Sequence, residues 1–478
     1  MKRQEFVCVI FFLVQIHLLP ISTEVILGTS EFARLLESDT FVDKTLLIPR
    51  VVADGVTVAT APRLYGKSAI LDMLKTFFEV QVDQEGVHMT RLKGGAVTDT
   101  SNYELFIKNN LKITRNTEFM TEHFGKYPVL SLDFKCDRPI RSYNDALMVC
   151  KRVVQNCFKQ HSYLLKSKKL NQEAKDFILD RSSYIKDDID EYYTNMDLLV
   201  LSEHLKNHFY DRRVVVLIDN HDSIFRSAIG NVADEAELEK IVHVNIELME
   251  NLLSCNDHNL GYAFVTGVFP IPLIGYVTFH SYEIRRFLQN ETYTEFFGFS
   301  ENEVEQLMGN PALNVDSNMF NQVQSTYNGY IGVDGKRIYN FYSVLNFLNT
   351  GAIGNYWIDS KDVDKLREIC SVPACKELVK KLLQGPVTLH DDRNLFPPPN
   401  KDRTRKHYFS FADIKLWQNM LLSPDSVEDW SQDGFFYYYL LEEGFLIQDV
   451  VVVTDLWSNV TLHIPNTEVT HAFNQLLA

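Results

Sequence analysis

A strand, a short loop and an amphipathic helix follow one another between residues 41 and 78, and that order restricts the folds open to the rest of the chain. The segment "FVDKTLLIPRVVADGVTVAT", 41–60, ends in Val56, Val58 and Ala59, which read as a short strand bounded by Asp54-Gly55. From Ser68 to Phe78 the apolar residues Ile70, Leu71, Leu74, Phe77 and Phe78 recur at helical spacing. Between them lies "TAPRLYGKSAI", 60–70, whose Gly66-Lys67-Ser68 is the end of a phosphate-binding loop; Ala61 stands where the full pattern has its first glycine. Such a loop works only between a strand and a helix, because the helix N-terminus presents unpaired N–H groups and the positive end of its dipole to an anion. In that context Lys67 is assigned to the β- and γ-phosphates of a nucleotide and the Ser68 hydroxyl to Mg²⁺.

Further apolar runs fit buried parallel strands: "PVLSLDF" from Pro128, "VVVLID" from Val214 to Asp219, and "GYAFVTG" from Gly261 to Gly267. Helical segments, among them 144–161 and 238–253, lie between them. Strands alternating with helices give an α/β layer fold with right-handed crossovers. At 478 residues the chain is long enough for two or three packed units. Beyond about Gln289 the pattern turns to helical pieces and turns. "NLFPPPNKDRTRKH", 394–407, reads as a linker or exposed loop, and the last unit mixes helices with a short β segment near 450–453.

The compartment is read from the first residues. Lys2 and Arg3 precede the apolar stretch 6–19, then Pro20, Ser22 and Thr23, which is the layout of a secretory signal peptide. The alternative is a signal anchor, but Gln15, His17 and Pro20 interrupt a stretch that falls short of the roughly 20 residues a span needs. A secreted, extracellular protein without stable membrane insertion is therefore expected. The sequons at Asn290 and Asn459 agree with that compartment. Of the cysteines left after the leader, Cys370 and Cys375 in "CSVPAC" form the nearest local pair, with buried free thiols as the alternative. The net charge of -16, which no run of basic residues relieves, disfavours sequence-independent nucleic-acid binding.

Asp219, ending "VVVLID", stands where a P-loop enzyme keeps the acid that holds Mg²⁺; its alternative role is a strand-end cap. Many such ATPases follow that aspartate with a glutamate that orients or deprotonates the attacking water. Here Asn220 follows, an amide that takes no proton, and then His221 and Asp222. Thr266 reads either as a polar sensor of the γ-phosphate or as a strand-end hydroxyl. His204 and His208, four apart on a helix, have metal-ligand spacing, but with no third ligand nearby they read as solvent-facing.

Taken together these residues resemble the AAA-ATPase-like family of P-loop proteins, whose loop runs roughly R-P-R-R-F-G-K-S. The resemblance covers nearly the whole mature chain. It comprises Phe41-Val42-Asp43-Lys44-Thr45, Pro62 to Ser68, Val214 to Asp222, Thr266-Gly267, "FGFSENEV" from Phe297, "YNGY" from Tyr327, "YNFYSVLNFL" from Tyr339 and "IPNTEV" from Ile464. The family also lacks the loop's first glycine. Its arginines fall at Ala61 and Leu64, so only Arg63 remains; its Asp-Glu-Tyr-Asp has become Asp219-Asn220-His221-Asp222; and "VFPIPLIG", 268–275, replaces a polar segment. Many members continue into a nuclease domain. This chain has no lysine or arginine after Lys415, so DNA cleavage is not expected.

After the leader read at 1–23, the chain is expected to form a parallel-sheet P-loop core over 24–289, as the resemblance implies, a helical lid over 290–400 and a winged-helix-like module over 401–478. The resemblance implies ATP and Mg²⁺ as ligands, with Arg63, Gly66, Lys67, Ser68 and Thr266 at the nucleotide. Ser68 and Asp219 would hold the metal, and Asp219 and Asp222 would serve catalysis. Hydrolysis is expected to be weak or lost. The rival reading is a secreted pseudoenzyme whose fold serves as a surface for a protein partner that the sequence does not name.

Overall fold

The computed structural model describes residues 25–83, 95–183, 191–270, 282–359, 364–391, 411–424, 434–452 and 458–477. The segment read as a leader, the Pro-rich stretch 394–407 and most of "VFPIPLIG" lie outside them.

Five strands, β1 (Val56–Thr60), β2 (Val129–Asp133), β3 (Val214–Asp219), β4 (Leu260–Gly267) and β5 (Tyr282–Arg286), form a parallel sheet in the order β2-β3-β4-β1-β5. Side chains alternate across a strand, so β1 to β4 each feed two cores. In β3, Val214, Val216 and Ile218 join one cluster, while Val215 and Leu217 join the cluster on the other face. The helix Lys67–Phe78 covers the second face through Ile70, Leu74, Phe77 and Phe78. Helices Tyr143–Gln160 and Glu235–Leu253 cover the first. Both-sided burial explains why the strands read as unbroken apolar runs. It also confirms the α/β class, although β5, in the polar sequence "YEIRR", had no such signal.

Beyond the sheet, the expected helical region also contains a small antiparallel sheet of β6 (Phe299–Ser300), β7 (Tyr330–Ile331) and β8 (Arg337–Tyr339), ordered β6-β8-β7. Two- and three-residue strands are too short to show alternation, which is why periodicity missed them. Helices Glu301–Met308, Phe320–Tyr327 and Phe341–Thr350 pack a third core around Phe299, Tyr327, Tyr339 and Phe347. A second antiparallel sheet, β10-β11-β9, joins β9 (Val387–Asp391), β10 (Ile447–Val452) and β11 (Ser458–His463).

The C-terminal elements share the first core with the parallel sheet. Trp417 packs its ring 4.7 Å from Phe269 and 5.7 Å from Phe225. The segments that carry the family resemblance meet in space although they are far apart in the chain. Lys44 donates to the Glu303 carboxylate, Asn466 donates to the Asn328 carbonyl at 2.8 Å, and Ser343 donates to Glu468 at 2.9 Å. Among the described residues no helix is long and apolar enough to cross a membrane.

Candidate functional site

The carboxyl ends of β1, β3 and β4 bring Thr60, Asp219 and Gly267 to one edge of the sheet, the edge at which open α/β sheets bind ligands. Leaving β1, the chain turns through Leu64 (φ 62) and Gly66 (φ 82), and Gly66 caps the helix Lys67–Phe78. A left-handed φ suits glycine, which has no Cβ to clash with the neighbouring carbonyl; Leu64 adopts the same region with its side chain partly in solvent.

Lys67 is buried and folded back on its own loop, donating to the Ala61 and Pro62 carbonyls at 2.7 Å each. Burial brings its ammonium down to about 8; the carboxylates of Asp219 and Asp222 oppose that shift and Arg226 adds to it. Ser68 donates its hydroxyl to Asp219 Oδ2 at 2.5 Å. Thr266 Oγ1 donates to Asp219 Oδ1 at 2.8 Å, an oxygen that also accepts from the Asn220 N–H at 2.9 Å. Lys67, Ser68, Asp219 and Thr266, from three separate stretches of chain, thus form one constellation. An oxygen set of hydroxyl and carboxylate suits Mg²⁺, which takes hard oxygen ligands and keeps several waters.

The neighbours after Asp219 are committed elsewhere. Asn220 (φ 55) donates Nδ2 to Asp133 Oδ1 at 2.8 Å, bridging the ends of β3 and β2. His221 is buried against the Thr266 carbonyl, 3.0 Å from its Nδ1. Asp222 accepts from the N–H groups of Val268 and Phe269 at 3.1 and 2.9 Å and pairs with Arg226 Nε at 3.1 Å. Burial alone would raise the Asp222 pKa, but Arg226, His221 and the Phe269 N–H outweigh it, so the carboxyl is held below its ordinary range. It is a fully buried clamp for the start of the segment after β4.

Arg63 points to Glu443, with Nε 3.7 Å from Oε2, and its carbonyl accepts from Trp357 Nε1 at 3.2 Å. Glu443 and Arg226 escaped sequence reading because no local pattern ties them to the loop. The only hint was the pair of acids ending the aromatic run "FFYYYLLEEG".

On the other side of the loop a cavity of about 80 Å³ opens beside Tyr65, Gly66, Ala69 and Ile70, closed by Phe41 and Phe341.

Two other sequence readings are resolved away from this edge. His208 is buried, with Nδ1 2.8 Å from Ser167 Oγ, so it is not the solvent-facing residue its helical position suggested. Ser167 and the buried helix packing supply the partner that spacing alone could not reveal. The Cys370 and Cys375 sulfurs lie 3.0 Å apart as buried thiols.

The family model described as "Predicted AAA-ATPase" matches residues 26–275, just over half of the chain and the whole of the P-loop and β3–β4 constellation. No curated protein matches the chain. With the loop, the strand-end acid and the sheet order in place, the chain belongs to the AAA-ATPase-like family, in the P-loop superfamily.

Proposed function

We propose that this protein binds ATP with Mg²⁺ and turns it over weakly or not at all. The observation that carries the binding half is the Ser68–Asp219 contact of 2.5 Å beside Lys67 at a helix N-terminus, which presents a phosphate seat and a hard-metal ligand pair together.

The loss of turnover rests on Asn220. Its amide is engaged with Asp133, and neither His221 nor Asp222 stands free to replace a glutamate base. Thr266 serves as a positioning hydroxyl for Asp219, and Arg63 as an accessory phosphate contact.

The rest of the reading follows the sequence. A leader at 1–23 sends the protein out of the cell, the core spans 24–289, the lid spans 290–400, and the module over 401–478 is winged-helix-like, with β9 paired to it from before that boundary. The rival reading, a secreted pseudoenzyme acting through its surface on a protein partner, is favoured by the same engaged Asn220.

The test is thermal unfolding of the mature chain with and without millimolar ATP–Mg²⁺. A ligand at about 100 times its Kd adds about 2.7 kcal/mol of stability. An upward shift that disappears in Lys67→Ala supports the binding reading; identical melting of both proteins in both conditions refutes it and leaves the surface as the functional element.

A further inference from the structure

Three charges not used by the Lys67–Ser68–Asp219 constellation meet beside the loop. Arg63 belongs to the loop, Arg226 to the helix Ser223–Ile229, and Glu443 follows the helix Phe435–Glu442. Glu443 is buried, with one oxygen 3.3 Å from Arg226 Nη1 and the other 3.7 Å from Arg63 Nε. Arg226 is also paired with Asp222 at 3.1 Å, so Asp222 fixes the guanidinium in place from below.

A buried carboxylate survives only when paired, and here both partners are guanidinium groups, whose planar fork matches a phosphate as well as it matches a carboxylate. Arg63 lies four residues before Lys67 in the same loop, and Arg226 is held at this end of the sheet by Asp222, three positions after Asp219. Arg63 and Arg226 thus share one carboxylate, and it comes from a residue near the far end of the chain. The backbone around that side chain is tied to the same region: Tyr330 Oη donates to the Gly444 carbonyl at 2.8 Å. The adjacent Glu442 faces a different arginine, Arg286, and Tyr438 stands 3.0 Å from the same guanidinium.

We propose that Arg63 and Arg226 form the seat for the terminal phosphate of a bound nucleoside triphosphate, and that Glu443 is the built-in anion which that phosphate must displace. The inference rests on the nucleotide reading above and deepens it. Asp222 already takes Arg226 Nε, so Glu443 and a terminal phosphate compete for the remaining N–H groups, and their repulsion at contact distance sets triphosphate binding against the Glu443 contacts. Displacement releases the segment after Phe435–Glu442 from the loop, and the C-terminal elements thereby register whether a triphosphate is present. A diphosphate, which ends short of the seat, leaves Glu443 where it is.

The experiment uses the full mature chain and isothermal titration with ATP–Mg²⁺, ADP–Mg²⁺ and inorganic tripolyphosphate. Glu443→Gln keeps the volume and an accepting oxygen but removes the competing charge. It should bind ATP–Mg²⁺ and tripolyphosphate at least roughly tenfold more tightly than wild type, with ADP–Mg²⁺ changed by less than about threefold. Glu442→Gln, which neutralises the neighbouring pair, should leave all three affinities near wild type. Equal ATP affinity in wild type and Glu443→Gln overturns the proposal while leaving nucleotide binding intact, and so does an equal gain for ADP. Absence of binding in every variant overturns both. If Glu443→Gln does not fold, Glu443→Asp, which withdraws the charge by one methylene, should still gain ATP affinity over wild type, and no gain there counts against the proposal.

Discussion

Lys67 allows the sharpest quantitative prediction. Its ammonium is buried and, against an ordinary value of 10.5, is brought down to about 8 by that burial, with Asp219 and Asp222 restraining the shift. A group with that value is about nine-tenths charged at pH 7 and about one-tenth charged at pH 9. A phosphate placed against it favours the charged form, so nucleotide binding at high pH must first return the proton. The Kd for ATP–Mg²⁺ should therefore rise about tenfold between pH 7 and pH 9. Lys67→Arg, weaker overall because its fork fits the loop differently, should show no such slope because guanidinium stays charged throughout. Stability runs in the opposite sense. The folded chain disfavours the charged lysine, so the ligand-free protein gains stability as pH rises from about 8 towards 10.5. Weaker binding at pH 9 therefore cannot be ascribed to the ionisation of Lys67 unfolding the protein. Titration calorimetry at pH 7, 8 and 9 measures the slope; a constant Kd in the wild type, or the same slope in Lys67→Arg, refutes the reasoning.

Three further outcomes are expected. Asn220→Glu alone should not restore phosphate release, because the new carboxylate would face Asp133, whose oxygen now lies 2.8 Å from the Asn220 amide; Asn220→Glu with Asp133→Asn should exceed either single variant by roughly 100-fold in a phosphate-release assay, the lower end of general-base effects. Glu468 is buried and pushed up to about 7 by that burial, against hydrogen bonds from Trp357 and Ser343 that lower it. Its contribution to stability is thus complete below about pH 4.5 and lost as pH rises through 7, and Glu468→Gln should gain up to about 3 kcal/mol on the wild type between pH 5 and pH 8 in denaturant unfolding, where parallel curves would contradict the assignment. Gly329 has φ 104 and an added Cβ would meet the Pro465 carbonyl oxygen at 1.9 Å, so Gly329→Ala should cost about 3 kcal/mol or more and lower the melting temperature, and an unchanged melting curve would count against that packing.

The parts of the site that were legible in the sequence are those set by local order. Gly66-Lys67-Ser68 could be read because a strand signal precedes it and a helical period follows, and the structure has both within a residue of the expected limits. Asp219 was legible because it ends an apolar run long enough to be a central strand. The direction of the side chains beyond it was not. By its place in the sequence Asn220 matters only as a missing glutamate, yet its amide ties β3 to β2; Asp222 reads as a catalytic support, and its carboxylate accepts from two backbone N–H groups and pairs with Arg226. Turn geometry after a strand decides such directions, and hydrophobic periodicity carries no record of it.

The sequence alone determined the alternation of buried strands and helices, the place of the phosphate loop and the absence of a glutamate after Asp219, because each follows from residue types at short spacing. Only the tertiary structure decided what stands opposite the loop. Glu443 is 376 positions after Lys67 in numbering, yet it is buried beside Arg63 and Arg226 because the C-terminal helices share a core with the parallel sheet. An ion pair leaves no mark on the period of either segment that forms it. Long-range packing brings those charges together, and burial, which makes an unpaired charge costly, keeps them paired.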